Sequence, residues 1–446
     1  MEKNRTEGSV FKNVLGFSLP YLLSYFLQTL YGMADLFIIG QFAGVESTTA
    51  VSIGSQVMHM LTVMIVGLAM GATVCIARDV GGGQRETAAE HMGNTITLFI
   101  GVSLVLTAVL LTLTGPITAI MSTPTEAVAG TKAYLTICIL GIPFITAYNI
   151  ISAVFRGLGD SKSPMYFIAV ACGANILLDY LFMGALHMGP SGAALGTTLS
   201  QTISVVISLV VIVRKGTGIP MKPAHLRPKK SVMGQLMRIG IPVALQDGFI
   251  QISFLTITII ANRRGLTDAA AVGVVEKIMS FMFLVPSSML STVSALGAQN
   301  LGAGKPERAK RTLGYAICIA TGFGLVTAVA VQLAADGIVG LFTTDALVAA
   351  AGGQYLRGYI WDSFLGGIQF SFSGYFCALG RSGLSFLHNF LSILLVRVPG
   401  AYWTSAMFPD KLMPMGLASA AGSLFSSLVC VGAYLWISRR KNNGIR

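Results

Sequence analysis

QNLGAGKPERAKRTLG (residues 299–314) nearly repeats RDVGGGQRETAAEHMG (residues 78–93), at an offset of 221. The same offset pairs Tyr134-Leu135 with Tyr355-Leu356, FRGLG (155–159) with FCALG (376–380), and Gly44 with Gly265. Pro20 meets Pro242 one residue out of step. A register held across more than a hundred residues identifies an internal duplication, and each copy then has to fold as a unit of its own kind.

Composition says what kind. Of 446 residues, 54% are hydrophobic and only 11% charged, against roughly 25% charged in a soluble globular chain. Runs of about 20 mostly apolar residues each suffice for one membrane-spanning helix. Six occur at 14–39, 48–76, 93–115, 131–154, 164–185 and 191–213. Six more follow at 239–261, 270–296, 313–335, 352–376, 384–405 and 413–437. The expected fold is all-α: a polytopic membrane protein of twelve transmembrane helices in two six-helix bundles. An even number of spans per copy gives both copies one orientation, related by a pseudo-two-fold along the membrane normal.

Lysine and arginine set that orientation. With both ends cytoplasmic, 23 fall in cytoplasmic segments and 4 outside, while Lys277, Arg357 and Arg397 lie within spans. The positive-inside rule then places both termini inside. The expected division is a cytoplasmic N-tail (1–13), an N-lobe (14–213), a linker (214–238), a C-lobe (239–437) and a C-tail (438–446). A central cavity between the lobes would open to one side at a time. The net charge of +12 sits in connectors, which argues against a nucleic-acid partner. Six cysteines stand singly in apolar runs and no Cys/His pair has metal-ligand spacing, so neither metal nor cofactor is expected.

Candidate chemistry lies where carboxylates interrupt apolar helices. ACGANILLDYLFMG (171–184) carries Asn175 and Asp179, four residues apart and so on one helix face. LYGMADLFIIG (30–40) carries Asp35, with Tyr31 at the same spacing. Asp35 lies 15 residues beyond Pro20, and Asp179 lies 15 beyond Pro164, on two helices running the same way. Each acid thus stands about 22 Å above its proline, at one depth. Intramembrane charges cost at least about 2.5–3.5 kcal/mol and normally face a bundle interior. Two such acids favour a shared proton, or an oxygen-lined Na⁺ site if both ionise. A plain helix–helix hydrogen-bond clamp is the alternative. Against it, the second copy places Thr256 or Ile257, Val396 and Gly400 opposite Asp35, Asn175 and Asp179.

Two six-helix lobes, Pro20 with Asp35, NILLD (175–179), GAALGTT (192–198) and the repeated loops together resemble the multidrug and toxic compound extrusion (MATE) family. The resemblance covers 14–437. It implies a secondary antiporter of the cell membrane that exports drug-like small molecules in exchange for H⁺ or Na⁺, surrounded by lipid, monomeric, and not an enzyme. It assigns Asp35, Asn175, Asp179 and Thr197 to cation coupling, with Tyr31 and Tyr134 as neighbours and Pro20 as a hinge in helix 1. GFIQISF (248–254) lacks the acidic residue of the family's NorM-type branch, which points to the DinF type. In the C-lobe, Glu276, Lys277, Arg357, Asp362 and Arg397 form an expected charge network.

Two rival readings have sequence support. A lipid-linked oligosaccharide flippase of the same superfamily would use the C-lobe cations on a diphosphate. GLGD (157–160) matches a tetrapeptide of intramembrane aspartyl proteases, but Asp160 beside Arg156 and Lys162 reads as a solvated loop turn. LGAGK (301–305) falls short of a phosphate loop, because Gln299 stands where its first Gly belongs.

Overall fold

The computed structural model describes residues 5–442, with side chains through Arg439. The ends of the two tails, 1–4 and 443–446, lie outside the described residues. Among the described residues there is no strand.

The first copy runs α1 (Val10–Phe42), α2 (Val45–Gly81), α3 (Arg85–Ile120), α4 (Thr125–Leu140 and Ile142–Gly157), α5 (Lys162–Asp179, continued by a π-helical turn, Tyr180–Ala185) and α6 (Gly189–Lys215). The second runs α7 (Lys230–Asn262), α8 (Leu266–Met282 and Leu284–Gly302), α9 (Pro306–Gly340) and α10 (Ala346–Tyr359 and Trp361–Ala378). It ends with α11 (Ser382–Ser392, a π-helical turn Ile393–Arg397, Val398–Met407) and α12 (Met413–Asn442). Each of the twelve expected spans falls inside one of these helices. Ten are long and apolar enough to cross a membrane, and the two segments of α4, bent by 48°, make an eleventh. The remaining one, α10, carries Arg357 and Asp362, which lower its apolarity.

The duplication extends to the turns. Gly83 and Gly304 both adopt φ near +70°. The residue after each returns its N–H to the carbonyl five back, Gln84 to Asp79 and Lys305 to Asn300, both at 2.9 Å. This is the glycine-terminated helix end, where a Cβ would be strained. Gly159 and Gly380 do the same in FRGLG and FCALG.

The chain forms two compact units, and their borders cut through two helices. Of the described residues, the first comprises 5–6 together with Leu19–Ala244, the second Glu7–Ser18 together with 245–442. Thus the opening turns of α1 belong to the second unit, where Val14 and Phe17 are fully buried among Val293, Leu296 and Leu313. Those of α7 belong to the first, where Gly240 lies against the Leu68 carbonyl and Gly71 against that of Leu236. Small residues on both helices permit that close approach.

The connector is not a free linker. Asn94 of α3 accepts from the Lys229 N–H at 2.7 Å and donates to the His225 carbonyl at 3.2 Å. Thr97 donates to the Leu226 carbonyl at 2.7 Å, and His225 Nε2 lies 2.9 Å from Glu86. A Pro-rich stretch with few intrachain backbone bonds is thereby satisfied by α3 side chains.

Candidate functional site

The polar centre of the first unit lies where α1, α5 and α6 meet. α1 brings Asp35, α5 brings Asn175 and Asp179, and α6 brings Thr197; all four are more than nine-tenths buried. Thr197 Oγ1 donates to Asp35 Oδ2 at 3.1 Å. Asn175 and Asp179 approach Asp35 closely enough to interact with it. Yet Asp35 Oδ1, both Asp179 oxygens and both polar atoms of Asn175 make no hydrogen bond of good geometry among the described residues. Buried polar atoms are nearly always satisfied, so a cluster of five unsatisfied ones singles this place out as the candidate site.

Backbone shape explains how Asp179 fits. A Cβ on Gly196, one residue before Thr197, would collide with Asp179 Oδ1. Only glycine there lets α6 close onto the carboxylate. Immediately after Asp179 the helix widens into the π turn Tyr180–Ala185, a distortion frequent at functional sites.

Tyr31 is half-buried and lies near Asp35 and Gln201. Tyr134, 2% exposed, packs its ring on Gly54 of α2 and lies near Asp35 and Tyr31. Pro20 is accommodated within a continuous α1, with Ser24 Oγ donating to its carbonyl at 2.9 Å. The six residues expected around the cation thus come together, and Pro20 lies four turns away on the same helix.

The second unit differs from expectation. Of its five charged residues, Asp362, Arg397 and Glu276 come together, while Arg357 and Lys277 lie apart from them. Arg397, at the end of the π turn in α11, bonds Asp362, whose other oxygen accepts from Ser423, and Gln369 Nε2 donates to Ser423 Oγ at 2.8 Å. The Arg397 guanidinium also sits 5.4 Å from the Phe254 ring centroid. Arg357 instead makes a two-pronged pair with Asp336 of α9, at 3.0 and 3.2 Å. Glu276 accepts from Thr258 at 3.2 Å, and Lys277 is exposed. Glu276 also lies near Arg397; Lys277, the next residue on α8, points to another side, and Arg357 finds a nearer acid in Asp336.

One further expectation is corrected. Asp160 is not solvated: it is 4% exposed and accepts from the Lys162 N–H at 3.1 Å and Ser163 Oγ at 2.7 Å. It ties down the turn that opens α5. α7 does carry an acid, Asp247, half-buried one residue before the GFIQISF stretch.

A family model described as MatE matches the chain twice, over residues 20–181 and 242–403, two stretches of equal length offset by 222. The probable multidrug resistance protein YpnP of Bacillus subtilis strain 168 is 28% identical over 425 residues, covering 95% of this chain and 94% of its own. The multidrug export protein MepA of Staphylococcus haemolyticus is 26% identical over 377 residues, covering 84% and 83%. Among solved structures, the outward-facing conformation of a multidrug resistance MATE family transporter superposes with a TM-score of 0.92 at 22% identity, over 99% of both chains. That likeness concerns the fold.

Proposed function

The chain belongs to the MatE family, and on that premise we propose that it is a secondary antiporter exporting organic compounds in exchange for H⁺ or Na⁺. The observation that carries the reading is the buried Asp35–Asp179 pair with Asn175 and Thr197, held in one unit and unmatched in the other. The relatives' names, multidrug resistance and multidrug export, supply the substrate class. The 23-to-4 distribution of Lys and Arg supports a cell-membrane protein with both termini cytoplasmic.

In this mechanism the pair takes up its cation from outside and releases it inside. Two buried carboxylates side by side resist joint ionisation, so a shared proton or a bound Na⁺ changes the energy of the first unit. Coupling arises because cation and organic substrate favour different states of the same protein. Thr197 fixes one Asp35 oxygen, Asn175 presents an amide to the pair, and Gly196 makes room for Asp179. Tyr31 and Tyr134 wall the site, and Pro20 lets α1 change its bend, since proline removes one ladder bond. The work is transport, not catalysis of a covalent step.

The pairing of two of the second unit's three intramembrane cations favours efflux over a flippase. Arg357 and Arg397, which a diphosphate headgroup would need, are each bound to a carboxylate. The test uses the monomeric protein in liposomes loaded with ethidium, with acid or Na⁺ imposed outside. Wild type should release ethidium under at least one gradient, while Asp35→Asn and Asp179→Asn should fall to the protein-free rate. Full efflux from both variants overturns the coupling role and leaves the structural clamp.

A further inference from the structure

The acid pair is buried, and a proton held there needs a way out. α1 carries Tyr21, Ser24, Tyr25, Gln28 and Tyr31 before Asp35, each three or four residues from another of the set. At helical periodicity these fall on one stripe that covers about 21 Å. Polar stripes on membrane helices are costly unless they face partners.

The partners are present. Tyr31 lies near Gln201 and Tyr148. The Tyr148 hydroxyl lies close to Gln28 and Ser152. Below it a cavity of about 20 Å³, lined by Tyr21, Ser24, Tyr25, Gln28, Tyr148 and Arg156, has room for one water. Beyond the cavity Tyr21 Oη donates to Tyr25 Oη at 3.3 Å, and the Arg156 guanidinium lies 5.1 Å over the Tyr21 ring. Arg156 is 7% exposed, and its Nε has no hydrogen-bond partner among the described residues.

We infer that this file is the proton exit route of the transporter, running from Asp35 and Asp179 through Tyr31, Tyr148 and a water in the cavity to the end of the unit marked by Arg156. This rests on the antiport reading above and specifies H⁺ as the ion. One proton leaves an Asp carboxyl. Each hydroxyl or water along the way accepts a proton on its acid side and gives one up on the other, and no other bond changes. Gln28 and Gln201 orient the hydroxyls. The Arg156 charge keeps an excess proton from lodging in the cavity, so the file passes protons and does not store them.

The second unit supports this by contrast. At the proline register, α7 places Val243, Gln246, Asp247, Ile250, Ser253 and Ile257 where α1 has Tyr21, Ser24, Tyr25, Gln28, Tyr31 and Asp35. Isoleucine breaks that file twice, in the unit that lacks the acid pair. Arg156 falls opposite Cys377.

The experiment uses liposomes loaded with ethidium and the pH dye pyranine, with acid outside. Tyr148→Phe deletes one oxygen and Gln28→Leu keeps the side-chain size. Size exclusion checks each first, and either alone decides if the other does not fold. Each should slow ethidium efflux and internal acidification together by at least fivefold, leave ethidium affinity within twofold, and raise the solvent deuterium isotope effect above that of wild type. Tyr166→Phe, on an exposed face of α5, should match wild type. Rates within twofold of wild type, or slowing without a larger isotope effect, overturn the route while Asp35→Asn remains inactive. Efflux driven by Na⁺ alone also overturns it. Efflux retained by Asp35→Asn instead overturns the antiport reading beneath it.

Discussion

Gly196→Ala tests the acid pair without touching an acid. A methyl at this position would occupy the space of Asp179 Oδ1, so the carboxylate has to turn away or α6 has to back off. Gly173→Ala on α5 is the matched control, because a Cβ there meets nothing within 4 Å. Both replacements lie inside helices, and both gain up to about 1 kcal/mol of helix propensity. Overpacking at Gly196 costs about 1–3 kcal/mol, so its net effect on stability is between neutral and about 2 kcal/mol unfavourable. Gly173→Ala should be neutral or stabilising. Transport should separate them far more than stability does. A displaced carboxylate that loses about 1.4 kcal/mol of cation binding forfeits a factor of ten. Gradient-driven ethidium efflux and thermal melting of the purified protein are measured for both. Gly196→Ala with wild-type efflux would refute the claim that Asp179 must lie against α6.

Three other outcomes follow from the same geometry. Asp35→Asn, Asp179→Asn and the double variant should be indistinguishable in gradient-driven ethidium efflux, because the two acids act as one unit; a single variant that keeps gradient-driven efflux the double variant loses counts against it. Pro20→Ala should slow gradient-driven efflux severalfold while leaving the melting temperature unchanged or higher, since it restores a helix bond; unchanged efflux counts against a hinge. Arg397→Met should destabilise the second unit by about 3–5 kcal/mol because it strands the buried Asp362, and adding Asp362→Leu should recover much of that, read by thermal melting.

Much of this was legible in the chain itself. The twelve helices were, because membrane-length apolar runs admit one structure. The duplication was, and the matched glycine turns at Gly83 and Gly304 show why: those positions demand left-handed backbone in both copies. The meeting of Asp35 with Asp179 was foreseen from two proline-relative depths on parallel helices. The second unit's charges were less legible, because spacing along a helix gives depth but not which neighbouring helix a side chain faces. Arg357 pairs with Asp336, an acid on the neighbouring α9. Asp160 looked solvated because it neighbours charges in a loop; its buried turn depends on backbone groups that composition does not reveal. The widening of α5 just after Asp179 has no mark in YLFMGA that we can identify.

The exchange of helix beginnings has a consequence for biogenesis. The first unit is incomplete until residue 244 has been synthesised, since it needs the start of α7, and the second requires residues 7–18 made at the outset. During translation the first six helices therefore wait, with the face that Gly71 presents to α7 uncovered, until their seventh partner emerges. A chain severed at Thr217–Gly218 would yield two fragments, each holding a segment the other needs, and only their co-expression would restore both units.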